Sequence, residues 1–221
     1  MDRTLQEHYR KLLGLEEPWE VVDVNLQMAE KRVEIALSHR KGYRLCCPEC
    51  GRHCAAYDEA PERRWRHLDT MQFETILKAR LPRTNCSDCG VKTIAVPWAE
   101  PHGRFTLMFE AFAIRVLQAA SSVERARTLL KLSWQCVQQI MARAVERGLE
   151  SREEEPVSHI GIDEKSFGGG QDYISVMVDI DGSRVLEVAK DRSEESCDQL
   201  WESLSDAQKN GVRSVSVSYT H

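Results

Sequence analysis

Cys47-Pro48-Glu49-Cys50-Gly51 and Cys86-Ser87-Asp88-Cys89-Gly90 repeat one C-x-x-C-G pattern. Two such knuckles bring four thiolates to one tetrahedral zinc, and a set of four protein ligands leaves no open position for catalysis. The glycine after each second cysteine suits a tight turn whose backbone amides point at sulfur. The expected ligands are Cys47, Cys50, Cys86 and Cys89, with Cys46, His53 and Cys54 beside the first knuckle as competitors. Buried free thiols or a redox pair are the alternatives, and the duplication of the knuckle argues against them. The 35 residues between Cys50 and Cys86 exceed a compact finger, so this stretch must leave the metal and return to it.

Two further sets of residues have chemistry to offer. Val137, Ile140 and Ala144 fall on one face of the helix expected from Trp134, leaving Gln135, Gln138 and Gln139 on the other. A glutamine can pair with an adenine edge at two points, so such a face suits base reading; an ordinary polar helix surface is the bland alternative. Asp163 ends the apolar run His159-Ile160-Gly161-Ile162, where a carboxylate at a strand end can hold a divalent ion or simply cap a turn. Arg63-Arg64-Trp65-Arg66-His67 reads either as a phosphate-facing patch or as a solvated strand with Trp65 in the core.

The elements that must position these residues change in kind along the chain. Alternation over Trp19–Leu26, Val33–Leu37 and Met71–Leu81 predicts a β-rich region around the cysteines. Helical periodicity then covers Thr106–Ala120, Val123–Lys131 and Trp134–Leu149. Ser122 and Ser133 are placed to cap the last two, which have the lengths of a helix-turn-helix. Lys131 stands in the turn where a glycine is usual. The acidic run ending at Pro156 reads as a linker. Beyond it come strands at His159–Asp163, Tyr173–Ile180 and Arg184–Lys190, a helix over Ser193–Lys209 and a strand over Val212–Ser218, with Asp181-Gly182 as a hairpin turn. Three antiparallel strands, a helix and a parallel strand is the order of an RNase H-like core. The expected class is therefore α+β and multidomain: a β-rich zinc ribbon over 1–100, a helical helix-turn-helix bundle over 101–150, and an incomplete RNase H-like α/β domain over 151–221.

Composition limits the function classes. Residues 1–150 carry 23 Lys and Arg against 20 Asp and Glu, and residues 151–221 carry 7 against 15. The basic front can face phosphates, whereas the acidic rear repels nucleic acid unless divalent ions neutralise it. With no secretory signal and no long apolar run, the eight cysteines read as reduced thiols or ligands in a soluble, cytoplasmic protein, not as disulfides or a membrane anchor.

Taken in order, Trp19-Glu20-Val21, the two knuckles, Arg64-Trp65-Arg66-His67-Leu68-Asp69, Val96-Pro97-Trp98-Ala99, Arg104-Phe105-Thr106 and Gly161-Ile162-Asp163-Glu164-Lys165-Ser166-Phe167 resemble the ISL3 type of bacterial insertion-sequence transposases. The resemblance implies double-stranded DNA at transposon ends as the partner and is compatible with a homo-oligomer. It also implies a DDE domain that cuts and joins DNA with two magnesium or manganese ions. Asp163 matches the first carboxylate of that triad. Ser218 takes the place of the second, and the third would fall beyond His221. The expectation is a transposase-family protein that binds ends without catalysing strand transfer. A zinc-dependent regulator of transposition and a non-functional truncated reading frame are the alternatives.

Overall fold

The computed structural model describes residues 3–166 and 172–217. The chain divides into two compact units, Met1–Gly148 and Leu149–His221.

The first unit opens with helix α1 (Arg3–Leu12), which has no buried residue, and two long strands, β1 (Trp19–Gln27) and β2 (Arg32–His39). Short strands β3 (Leu45–Cys46) and β4 (His53–Cys54) flank the first knuckle. They are followed by β5 (Ala56–Glu59), β6 (Arg63–Thr70), β7 (Phe73–Ala79), β8 (Pro82–Cys86) and β9 (Gly90–Thr93). The insertion between the knuckles does not form a structure of its own. Strands β6 and β7 complete a four-stranded sheet in the order β1-β2-β7-β6, with β2 and β7 parallel, while β5, β8 and β9 form a second sheet.

The period-2 pattern explains the core. Val33, Ile35 and Leu37 face inward beside Leu77 and Ala79, and Trp65 is 0% exposed. Trp98 packs edge-to-face between Trp19 and Trp65, at centroid distances of 4.7 and 5.6 Å. On the other face the nearly buried Glu34 pairs with Arg64 and with Lys78, the latter at 3.1 Å. The arginines of the cluster thus have partners within the protein, although Arg64 itself stays exposed. Arg66 pairs with Asp69 at 2.5 Å, and Arg63 stacks over Trp65 while donating to the Gly103 carbonyl. Trp65 lies in the core, as in the reading of this segment as a solvated strand.

Helices α2 (Leu107–Ala119), α3 (Val123–Leu130) and α4 (Trp134–Glu150) follow, close to the ranges expected from periodicity. Caps fix their starts. Thr106 accepts from the Phe109 amide, Ser122 from the Arg125 amide and Ser133 from the Cys136 amide. The start of α2 is sewn to β6, since the Arg66 amide donates to the Arg104 carbonyl and the Thr106 amide to the Arg66 carbonyl.

The second unit contains β10 (His159–Ser166), β11 (Tyr173–Asp179), β12 (Arg184–Lys190), α5 (Glu194–Glu202), α6 (Asp206–Gly211) and β13 (Ser214–Val217). Its sheet runs β12-β11-β10-β13, antiparallel except for the parallel β10–β13 pair. Ile160, Met177, Leu186, Ala189, Leu200 and Leu204 form the core. Three local features differ from the sequence reading. Strand β10 continues past Asp163 to Ser166, because Tyr173–Val176 of β11 pair with Asp163–Ser166. The single helix expected over Ser193–Lys209 is two, since Ser205 starts a new one through a reciprocal capping box with Gln208. In the β11–β12 turn the left-handed residue is Ser183. Gly182 is needed for space, as a Cβ there would lie 2.5 Å from the Asp179 carboxylate.

His67 joins β6 to the cap of α2 through a 2.9 Å contact between its Nδ1 and Thr106 Oγ1. Burial, and secondarily the Arg66 charge, pushes its pKa from 6.5 down to about 4. The folded value lies below the unfolded one, so the neutral ring's contribution is complete above pH 6.5 and is lost as pH falls towards 4. Thermal unfolding across that window should show a destabilisation of roughly 2–3 kcal/mol that His67→Gln lacks.

Candidate zinc centre and nucleic-acid interface

The ligand atoms of Cys47, Cys50, Cys86 and Cys89 all lie within 4.8 Å of one another, although 35 residues separate the knuckles. Gly51 and Gly90 adopt φ of 72° and 74°, the left-handed conformation each knuckle turn needs. Amides of Asp88 and Cys89 aim at the Cys86 sulfur and lower its pKa to about 6. Hydrogen bonding to Cys50, together with burial, pushes Cys89 up to about 12. Four sulfurs packed this closely cannot all ionise unless a cation compensates them, and a dication at their centre does so. The donor set and its turns therefore fit zinc. Ion pairs between the knuckles, Arg52–Asp88 at 2.6 Å and Lys92–Glu49 at 2.6 Å, add registration on an exposed surface where such pairs contribute little energy.

The competitors stand apart from this set. Cys46 Sγ contacts His53 Nδ1 at 3.3 Å on the β3–β4 hairpin, and Cys54 Sγ donates to the Arg52 carbonyl. Cys54 nevertheless lies near the cluster. Its thiol is raised by burial and then by hydrogen bonding to Cys86.

In the helical region α3, a left-handed turn at Lys131 (φ 55°, ψ 43°) and α4 form a helix-turn-helix. Lys131 adopts the conformation for which glycine is usual, and the Leu132 amide closes the end of α3 on the Arg127 carbonyl. Val137 and Ile140 are fully buried, Ala144 is half-buried, Gln135 and Gln138 are exposed, and Gln139 is half-buried. Two features escaped the sequence reading. Glu110 of α2, 1% exposed, receives Arg143 at 2.5 Å and Arg147 at 3.3 Å, both from α4. Its place on the inward face beside Phe109 and Ala113 was the available signal. The other is Trp134, the first residue of α4, which is 49% exposed and lies off the buried stripe.

In the second unit Asp163 is exposed and pairs across the sheet with Val176, on the face opposite buried Ile160. Its carboxylate accepts from the Glu164 amide at 2.9 Å, and strand alternation sends the Glu164 side chain to the other face. The strand therefore carries Asp163 in its interior, not at its end. Among the described residues, the four cysteines are the one group of three or more candidate ligands gathered in space. Gly168–Gly170, Ser218 and His221 lie outside the described residues.

Gathered cysteine knuckles followed by a capped helix-turn-helix and an α/β sheet define a zinc-ribbon, helix-turn-helix protein with a third domain. Family models match all three parts: the zinc-finger of transposase IS204/IS1001/IS1096/IS1165 over residues 44–89, the helix-turn-helix domain of transposase family ISL3 over 94–145, and an ISL3 DDE transposase domain over 160–218. The chain belongs to the ISL3 family of transposases. It is 32% identical over 188 residues to the transposase for insertion sequence element IS1557 of Mycobacterium tuberculosis, a match covering 82% of this chain and 42% of that protein. It is 23% identical over 177 residues to the transposase for IS1001 of Bordetella parapertussis, covering 80% of this chain and 43% of that protein. The chain thus spans about two fifths of the length of these relatives. No solved structure matches it. No helix among the described residues is long and apolar enough to cross a membrane.

Two measurements probe the geometry. Chelation of zinc, or Cys86→Ser, should melt the β3–β9 region, since a structural zinc supplies about 10–16 kcal/mol of folding free energy. An unchanged melting curve after chelation would exclude a structural ion. Glu110→Ala should cost about 2–3 kcal/mol in denaturant unfolding, because it leaves two arginines without their shared buried carboxylate.

Proposed function

We propose that this chain recognises the ends of an insertion sequence as duplex DNA, using zinc held by Cys47, Cys50, Cys86 and Cys89 as scaffold and α4 as the reading helix. The observation that carries this is the division of α4 into a buried Val137–Ile140 stripe and an exposed face bearing Gln135 and Gln138, with Gln139 at its margin. A reading helix needs that division, since one side must be held rigidly while the other offers paired donors and acceptors to adenine. The Glu110 clamp on Arg143 and Arg147 supplies rigidity along the same helix.

We infer that the second unit belongs to an RNase H-like catalytic domain. Its support is the β12-β11-β10-β13 order with only β13 parallel, and Asp163 on β10 is the metal-binding carboxylate of the triad. Two magnesium or manganese ions need several carboxylates to offset their dehydration, and Asp163 has no gathered carboxylate partners among the described residues. In this reading the chain binds DNA ends and by itself does not cut them, which also describes a zinc-dependent regulator of an intact enzyme.

Selection from a randomised duplex library should yield a consensus found at the ends of the element that encodes the chain, bound only when zinc is present. Gln135→Ala with Gln138→Ala should relax discrimination at adenine positions by about 1–3 kcal/mol per lost contact, measured as relative affinities of single-base variants. Absence of any sequence-selective, zinc-dependent complex would remove this reading. Magnesium-dependent nicking of the selected duplex by the chain alone would overturn the claim that it does not cut.

A further inference from the structure

Trp134 is the one aromatic residue of α4. Its neighbours along the helix explain why it does not pack. Val137 and Ile140 take the buried stripe, and Trp134 shares the outer face with Gln138, one turn further on, and with Gln135 beside it. The indole is held without being covered. The Arg127 guanidinium carbon sits 5.8 Å from its ring centroid. Arg127 is itself fixed by Glu124 at 2.6 and 3.0 Å and by the Leu132 carbonyl at 3.2 Å. Its charge is therefore already paired, and its role beside Trp134 is to orient the ring through a cation–π contact. A side chain of this size left 49% exposed forgoes much of its burial energy in the isolated protein, energy that becomes available when a partner covers it.

From this geometry we infer that Trp134 is a specificity-determining residue that packs against the C5-methyl of a thymine in the major groove, next to the adenine paired by Gln135 or Gln138. The inference rests on the assignment of α4 as the reading helix. It follows from two constraints. The N-terminal residues of a reading helix are the ones that meet base edges, and Trp134 is the first residue of α4. Within the major groove the thymine methyl is the apolar feature, the other positions being hydrogen-bond donors and acceptors that an indole carbon edge leaves unsatisfied. Glutamines and tryptophan side by side would then read adenine and thymine as neighbouring positions of one A·T-containing step.

The test uses the full chain loaded with zinc and the duplex selected from the randomised library. Each thymine is replaced in turn by deoxyuridine, which keeps the base pair and removes the methyl. At one or two positions the replacement should weaken binding by the intact chain about threefold to fivefold, the worth of one buried methyl group. Trp134→Ala should bind the thymine duplex roughly tenfold more weakly and bind the thymine and deoxyuridine duplexes alike at those positions. Trp134→Phe should restore part of the difference. Ultraviolet irradiation of the 5-bromodeoxyuridine duplex should place the crosslink on Trp134 of the unsubstituted chain, a result independent of how any variant folds. A crosslink confined to other residues, or a Trp134→Ala chain that still distinguishes thymine from deoxyuridine, overturns the inference. If the glutamine variant alters base preference while Trp134→Ala does not, Trp134 fails and the reading helix stands; if neither alters it, both fail.

Discussion

Four sulfurs from two distant turns must occupy a sphere less than 5 Å across, and the architecture of the first unit follows from that requirement. Thiolates repel one another, so their convergence needs a cation and oriented amides, which the amides of Asp88 and Cys89 supply at Cys86. Convergence also obliges the 35 residues between the knuckles to make a closed excursion. They do so as β4–β7 and the start of β8, and the β6–β7 hairpin joins the sheet begun by β1 and β2. The metal turns thus close a loop whose far part lies in the hydrophobic core. Loss of the thiol cluster would release an ordered hairpin as well as a surface finger.

The constraint is passed on from β6. Its Arg66 backbone pairs with Arg104 and Thr106, its His67 side chain meets the Thr106 hydroxyl, and Thr106 caps α2. Helix α2 in turn offers Glu110 to the two arginines of α4. A continuous series of hydrogen bonds therefore runs from the strand inside the zinc-closed loop to the helix that bears the glutamines. Most arginines along this path are spent on internal partners. Arg104, Arg115, Arg125 and Lys131 are exposed and have no ion-pair partner among the described residues.

Much of this was legible in the sequence because local chemistry dictated it. The C-x-x-C-G repeats marked the four cysteines that gather and the glycines of their turns, and the left-handed φ of Gly51 and Gly90 follows from the tightness of those turns. Ser122 and Ser133 marked helix starts because a hydroxyl there satisfies an amide that the helix cannot. What escaped was set by partners distant in sequence. The sequence pattern alone cannot show that β11 pairs with β10 as far as Ser166, which moves Asp163 from a strand end into its interior. The arginines around Trp65 look like a phosphate patch until Glu34, about thirty residues away, is brought beneath Arg64. The break before α6 was the exception, for Ser205 and Gln208 have the capping-box spacing and were passed over within a longer periodic run.

The two units differ in how much of their chemistry each contains. In the first, the four gathered cysteines, the turns that orient them, the caps and the clamp on α4 all come from within Met1–Gly148. In the second, the sheet is ordered and its α5 side is packed, yet Asp163 sits on the opposite face with the neighbouring Glu164 amide as its one hydrogen-bond partner among the described residues. Phosphoryl transfer by two metal ions depends on several carboxylates held at fixed separations, and one carboxylate fixes none of them. On the proposed function, binding and cutting are therefore separable properties. On the same proposal, the reading of DNA is a matter of one rigid helix and its scaffold, whereas the chemistry depends on a carboxylate cluster of which the described residues gather no more than Asp163.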